Sequence, residues 1–429
     1  MSFTPTAYQL VSMASGARRF DSDGWTLKFE DEPPSLLRAE YRHKQLNVRE
    51  ELEGIYRFAD WLPIRRVLKG SSAPVSYRSR ALAEALKLDN LWITFSGWWP
   101  KKGAGMHTST FKECEAYSVC ARMGEDFPKI LVVASAGNTA RAFARVCSDN
   151  QIPLLLFVPQ DNLDALWFDQ PVSDCVRLVS PVSGGDYSDA IHLSTVAVAG
   201  SDKFVAEGGA LNVARRDGMG TTVLSAALEI GRIPDAYFQA VGSGTGAIAA
   251  WEAALRLEAD GRFGHNAMRL MISQNEPFTP LADSWHADSR ELIIDDDNRA
   301  RRLVEQVAAK VLTNRRPPWA LPGGLYDALK ATGGTLLTVS NEEAAAAGEQ
   351  FRRLEGCDIN PAAAVAAASL GKAAAAGLLK RDEVIMLNIT GGGAEKIAAE
   401  RSLHHLSPAA LIELDTPDAE IAALCEGLF

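Results

Sequence analysis

Lys112 follows a run of small hydroxyl residues in His107-Thr108-Ser109-Thr110-Phe111-Lys112 and precedes Glu115 to Met123, a stretch with helical spacing. A lysine amine is a nucleophile only once it has lost its proton, and removal from water makes that loss easier. Such a lysine can hold an aldehyde cofactor as a Schiff base. Most lysines are solvated surface charges, so Lys112 gains its meaning from companions further along the chain.

The first companion is Ser135-Ala136-Gly137-Asn138-Thr139, where the apolar run Ile130 to Ala134 gives way to helical spacing. Backbone N–H groups at the start of a helix lack partners and suit a carboxylate, and Gly137 permits close approach of a ligand. Ser135, Ala136, Gly137 and Thr139 are therefore candidate substrate contacts, and Asn138 is placed to reach a phenolic oxygen on a cofactor ring. A plain helix N-cap is the competing reading. The second companion, Gly242-Ser243-Gly244-Thr245-Gly246, has the same strand-to-helix setting and forms a phosphate cradle by the same physics. A dinucleotide site is its rival. The third glycine comes one residue early for that fingerprint, and the nearest acid, Glu276, lies about thirty residues on rather than about twenty. Thr390 ends an apolar run before Gly391-Gly392-Gly393 and can offer its hydroxyl to a pyridine nitrogen, with a cap residue as the competing reading, favoured when Thr390 is taken singly. A hydroxyl partner leaves that nitrogen largely unprotonated, which favours elimination over transamination. Together these segments look like the parts of a pyridoxal phosphate enzyme of the tryptophan-synthase-like fold.

The elements that must position these residues are legible from residue 129 onward. Short apolar runs at 130–134, 154–158, 176–179, 236–241, 270–272, 336–339 and 384–389 read as buried strands. Helical stretches at 139–149, 217–230, 246–257 and the Ala-rich 361–378 lie between them, and another follows Gly393. Strands alternating with helices predict an α/β fold with parallel or mostly parallel sheets. The first hundred residues are mixed, with turn clusters such as Asp21-Ser22-Asp23-Gly24. At 429 residues the chain fits two packed domains.

Several segments carry a family likeness: Leu62-Pro63-Ile64, Ser72-Ala73-Pro74-Val75, Leu82 to Leu88, Gln274-Asn275-Glu276-Pro277 and Asp358-Ile359-Asn360-Pro361-Ala362-Ala363-Ala364. With the lysine and glycine segments, they make the chain resemble the threonine synthase family over nearly its whole length. Departures from the usual pattern point to the family's cysteate-forming branch. Thr110-Phe111-Lys112-Glu113-Cys114-Glu115 stands where the family reads SFKDRG, and Met106-His107-Thr108-Ser109 stands where it reads NPTG. The resemblance implies a two-domain, fold type II enzyme. Residues 1–105 and 205–429 would hold the cofactor phosphate, and 106–204 would carry the lysine and the carboxylate turn. It also implies Lys112 as the Schiff-base lysine, Asn138 and Thr390 as cofactor contacts, and Gly242 to Gly246 as the phosphate cup. The implied reaction is β-replacement on O-phospho-L-serine by sulfite, giving L-cysteate and phosphate, in a methanogen making coenzyme M. Self-association is expected of the fold. Two anionic substrates call for basic side chains, with Lys101, Lys102, His107, Arg141 and Arg145 as candidates; the alternative for each is a solvated surface charge. Cys114 is expected to be a packed helix residue. The alternative functions are threonine synthesis from O-phosphohomoserine and, in another class, a non-catalytic ligand-binding homologue.

Composition narrows the field further. A net charge of -10 argues against a nucleic-acid surface. No apolar run is long enough to span a bilayer, and Met1 to Thr6 lack the basic and apolar regions of a signal peptide. Six scattered cysteines fit a reducing cytoplasm, and without HExxH spacing a catalytic zinc has no support.

Overall fold

The computed structural model describes residues 3–294, 296–315 and 317–429. Met1 and Ser2, which open the stretch read for a signal peptide, lie outside the described residues. Two sheets organise the chain. The larger has six strands in the order Thr335–Val339, Arg269–Asn275, Ala236–Ala240, Val384–Ile389, Asn90–Phe95 and Val75–Arg78. All neighbours are parallel except the last pair. The smaller has five parallel strands: Phe204–Ala206, Ile130–Ala134, Leu154–Phe157, Val176–Pro181 and Ala410–Ile412. Inner strands such as Ala236–Ala240 and Leu154–Phe157 are buried along their whole length. Sheets covered by helices on both faces demand such continuous apolar runs, which is why these strands were legible.

The structure extends the sequence reading in three places. Asn90–Phe95, inside the stretch read as mixed, is an inner strand of the larger sheet. Its polar Asn90 and Thr94 broke the apolar run. The lysine helix begins at Lys112 itself and runs to Arg122, and the helix expected from Asp217 begins at Val213. Finally, Ala410–Ile412, from the segment expected to serve the cofactor-phosphate domain, pairs with Val176–Pro181 instead. The following helix, Asp418–Glu426, packs on Tyr187–Gly200 and buries Ile421 and Cys425.

Two helices lie against each other where the sheets meet. Lys112–Arg122 packs on Val213–Ile230 at very short range, because Gly218 faces the backbone of the lysine helix. A Cβ at Gly218 would sit 2.7 Å from Ser118 Cβ and would overlap the Cys114 carbonyl oxygen. Cys114 is fully buried in this contact, as a packed helix residue should be, and burial pushes its thiol pKa well up.

Candidate active site

Lys112 opens its helix, and the loop before it is stitched to the end of the last inner strand. Phe111 N–H donates to the Thr390 carbonyl at 2.9 Å, and the Thr110 hydroxyl donates to the same oxygen at 3.2 Å. Gly392 N–H and the Asn360 amide both donate to the Ser109 carbonyl, at 3.2 and 3.1 Å. Ser109 is held in the left-handed region at φ 53°, a conformation a serine keeps only when its surroundings fix it. From the other side, the Glu113 carboxylate accepts from both the backbone N–H and the hydroxyl of Thr108. Burial pushes Glu113 above the usual carboxylate range.

Arg141 locks the carboxylate turn to this loop. Its guanidinium donates to Thr108 O, to Ala165 O at 2.6 Å and to Asn138 Oδ1 at 3.1 Å, and lies over the Trp167 ring. With Asn138 Oδ1 occupied, its amide NH2 is left as the donor, the polarity a phenolate oxygen requires. Arg141 is thus a buried framework residue rather than a solvated charge, and burial brings its pKa down to about 10. Arg145 is likewise buried, paired with Asp149 at 2.8 Å and Asp169 at 3.5 Å. His107 Nδ1 lies 2.7 Å from Asp169 Oδ2. Lys101 and Lys102 are exposed, with the Lys102 amine over the Tyr77 and Trp99 rings.

Lys112 is shared by two adjoining cavities. One is lined by Lys112, Asn138, Thr390 and the whole turn Gly242, Ser243, Gly244, Thr245 and Gly246. That turn leads from Ala236–Ala240 into the helix Thr245–Asp260, with Gly244 in the left-handed region at φ 79°. The Ser243 and Thr245 hydroxyls stand 2.8 Å apart there, beside a helix start whose first N–H groups have no intrahelical partner. The other cavity is lined by Ser135, Ala136, Gly137, Asn138 and Thr139, with Tyr187, Arg215, Ser243 and Lys310. The structure therefore brings both turns, Asn138 and Thr390 together around Lys112, whereas Lys101, Lys102, His107, Arg141 and Arg145, the expected basic contacts, line neither cavity.

Sequence reasoning missed the charges around that amine. The Lys112 side chain is 22% exposed, and its Nζ donates to Glu115 Oε2 at 3.2 Å. Burial lowers the Lys112 pKa, with Glu115 opposing the shift. Arg215 comes from a helix about a hundred residues away, so only its basic character, and not its position, could be read in advance. Among the described residues, no cluster of histidine, cysteine or acidic side chains could hold a metal ion.

A largely buried amine with a lowered pKa, a helix start with unpartnered backbone N–H groups, an amide donor and a threonine hydroxyl around one cavity fit pyridoxal phosphate. Fold and site together define a pyridoxal-phosphate-dependent enzyme. The family model for pyridoxal-phosphate dependent enzymes matches residues 85–391. The cysteate synthase of Methanosarcina acetivorans is 46% identical over 391 residues, covering 91% of this chain and 93% of that protein. Its counterpart in Methanoculleus marisnigri is 46% identical over 395 residues, covering 92% and 90%. Maize serine racemase shares the fold, with a TM-score of 0.56 at 14% identity over 74% of this chain and 89% of that one. The chain belongs to the cysteate synthase family.

Proposed function

We propose that this protein forms L-cysteate by replacing the phosphate of O-phospho-L-serine with sulfite, with Lys112 as both cofactor-holding and proton-transferring residue. The observation that carries the reading is that Lys112 lines two adjoining cavities, one with the turn Gly242 to Gly246 and the other with Ser135 to Thr139. When bound, pyridoxal phosphate supplies an electron sink for charge released at the substrate α-carbon. The turn at Gly242 to Gly246 would hold the cofactor phosphate with backbone N–H groups and the Ser243 and Thr245 hydroxyls. Asn138 would donate to the ring oxygen, and the Thr390 hydroxyl would serve the ring nitrogen. Ser135 to Thr139 bind the substrate carboxylate. With the substrate bound, Lys112 Nζ would take the α-proton, the bond from the β-carbon to phosphate would break, and the sulfite sulfur would bond to that carbon in its place. Lys112 then returns the proton. Lys310 lines the second cavity, its amine donating to the Val304 and Glu305 carbonyls at 3.1 and 2.7 Å, and would be the cation for the departing phosphate and arriving sulfite.

The product is a precursor of coenzyme M. Six free cysteines suit a reducing cytoplasm, and self-association is expected of the fold. Borohydride reduction of the cofactor-loaded protein, followed by peptide mapping, tests the central assignment. The reduced cofactor is expected on the peptide containing Lys112, and Lys112→Ala is expected to abolish both the label and the visible absorbance. Label on another lysine would overturn the assignment.

A further inference from the structure

The lysine helix carries a second buried charge one turn beyond Lys112. Glu115 is fully buried, and its two oxygens are divided between opposing cations. Oε2 accepts from Lys112 Nζ at 3.2 Å, while Oε1 accepts from the Thr139 hydroxyl at 3.0 Å and lies 3.6 Å from Arg215 Nη2. Arg215 does not need Glu115 for its own neutralisation. Glu207 already binds it through two hydrogen bonds, 2.8 Å to Nε and 2.6 Å to Nη2.

The titratable groups facing Lys112 come from four other segments as well as from its own helix. They are Glu115 on the lysine helix, Glu207 after the strand Phe204–Ala206, Arg215 on Val213–Ile230, Tyr187 on Tyr187–Gly200, and Lys310 across the cavity. With the amine protonated, Lys112, Arg215, Glu115 and Glu207 sum to zero charge. With it neutral, the same four sum to minus one. Glu115 therefore favours the ammonium form of Lys112, and Arg215 opposes it.

We propose that Glu115 and Arg215 are opposed positioning residues that together set the pH at which Lys112 Nζ releases its proton. Glu115 holds the proton on the amine, and Arg215 draws on the same carboxylate and weakens that hold. This rests on the reading of Lys112 as the cofactor-holding residue. An opposite charge within hydrogen-bonding range shifts a pKa by about one to three units, so loss of Glu115 has a measurable effect, and the like charge of Arg215 acts on the same amine in the opposite direction.

The test is the rate at which cofactor-free protein takes up pyridoxal phosphate, followed by absorbance across a pH series. Only the neutral amine attacks the aldehyde carbon. A C=N bond forms and the aldehyde oxygen leaves as water with the two amine hydrogens, so the acid limb of the rate profile reports the Nζ proton. Glu115→Gln is expected to move that limb to lower pH by about one unit or more, and Arg215→Gln to move it upward. Glu115→Asp is expected to restore the wild-type position in part, and Arg215→Lys, which keeps the charge, to leave the limb close to wild type. A purely structural role predicts slower uptake or lost stability with an unmoved limb. Folded Glu115→Gln and Arg215→Gln variants whose limbs stay in place, or move the same way, would overturn the proposal. If Arg215→Gln does not fold, the direction of the Glu115→Gln shift decides alone. If the wild type takes up no cofactor, or Lys112→Ala takes it up equally well, the assigned role of Lys112 fails instead.

Discussion

At the scale of single residues, positions set by residue type next to a strand end were legible, and contacts that depend on a partner across space were not. Lys112, Asn138, Thr390 and the two turns announce themselves by local spacing. Arg141 and Arg145 read as candidate anion contacts or solvated charges, yet both are buried, because helix Asn138–Asp149 packs between the smaller sheet and the lysine helix. The His107–Asp169 pair is another contact that only the fold creates. Its hydrogen bond to Asp169 raises the His107 pKa. Burial pushes the Asp169 carboxyl up, but the His107 contacts and nearby arginines outweigh it and hold the carboxyl below its usual value. A raised histidine adds stability that is full below its unfolded pKa and is lost as pH climbs through the folded value. A lowered aspartate adds stability that is present above its unfolded pKa and is lost as pH falls. The pair therefore contributes most between about pH 4 and about pH 6.5. His107→Gln is expected to cost about 1 kcal/mol in denaturant unfolding within that window and much less near about pH 9. An equal cost at both pH values would contradict the pairing.

At the scale of elements, the parallel strands and the Ala-rich helix were readable because each is apolar along a run that matches its period. Asn90–Phe95 was hidden by its polar members, and the helix pair at Gly218 by the absence of any local sign that two backbones meet there. That contact keeps Arg215 within reach of Glu115. Gly218→Ala is expected to cost about 1–3 kcal/mol by forcing the helices apart, and to weaken cofactor binding as well. Gly371 supplies the contrast. It lies inside the helix Pro361–Ala375, and a Cβ there would meet Leu86 Cδ2 at an ordinary 3.9 Å. Gly371→Ala is expected to gain about 0.4–1 kcal/mol, with cofactor affinity unchanged. Unfolding curves with and without pyridoxal phosphate separate the two substitutions; equal effects would remove Gly218 from the account of the site.

At the scale of the whole molecule, sequence spacing conveyed two α/β layers but not the late return of the chain. Residues 410–426 contribute an edge strand and a covering helix to the smaller sheet, an arrangement fixed by Ile412 and Ile421 finding buried places there. We propose that the unit carrying Lys112 includes this C-terminal segment as well as 106–204. Ile421→Ala is expected to destabilise that unit by about 2–4 kcal/mol, read as faster amide exchange in Val176–Pro181 and Tyr187–Gly200 before the larger sheet responds. Uniform loss of protection across both sheets would contradict the division. The central claim concerns what the assembled molecule makes. The most direct measurement incubates the cofactor-loaded protein with O-phospho-L-serine, with and without sulfite, and follows phosphate and L-cysteate together. The account predicts L-cysteate formed only with sulfite, in step with phosphate release. Phosphate and pyruvate without cysteate, or threonine from O-phosphohomoserine with no turnover of O-phosphoserine, would contradict it.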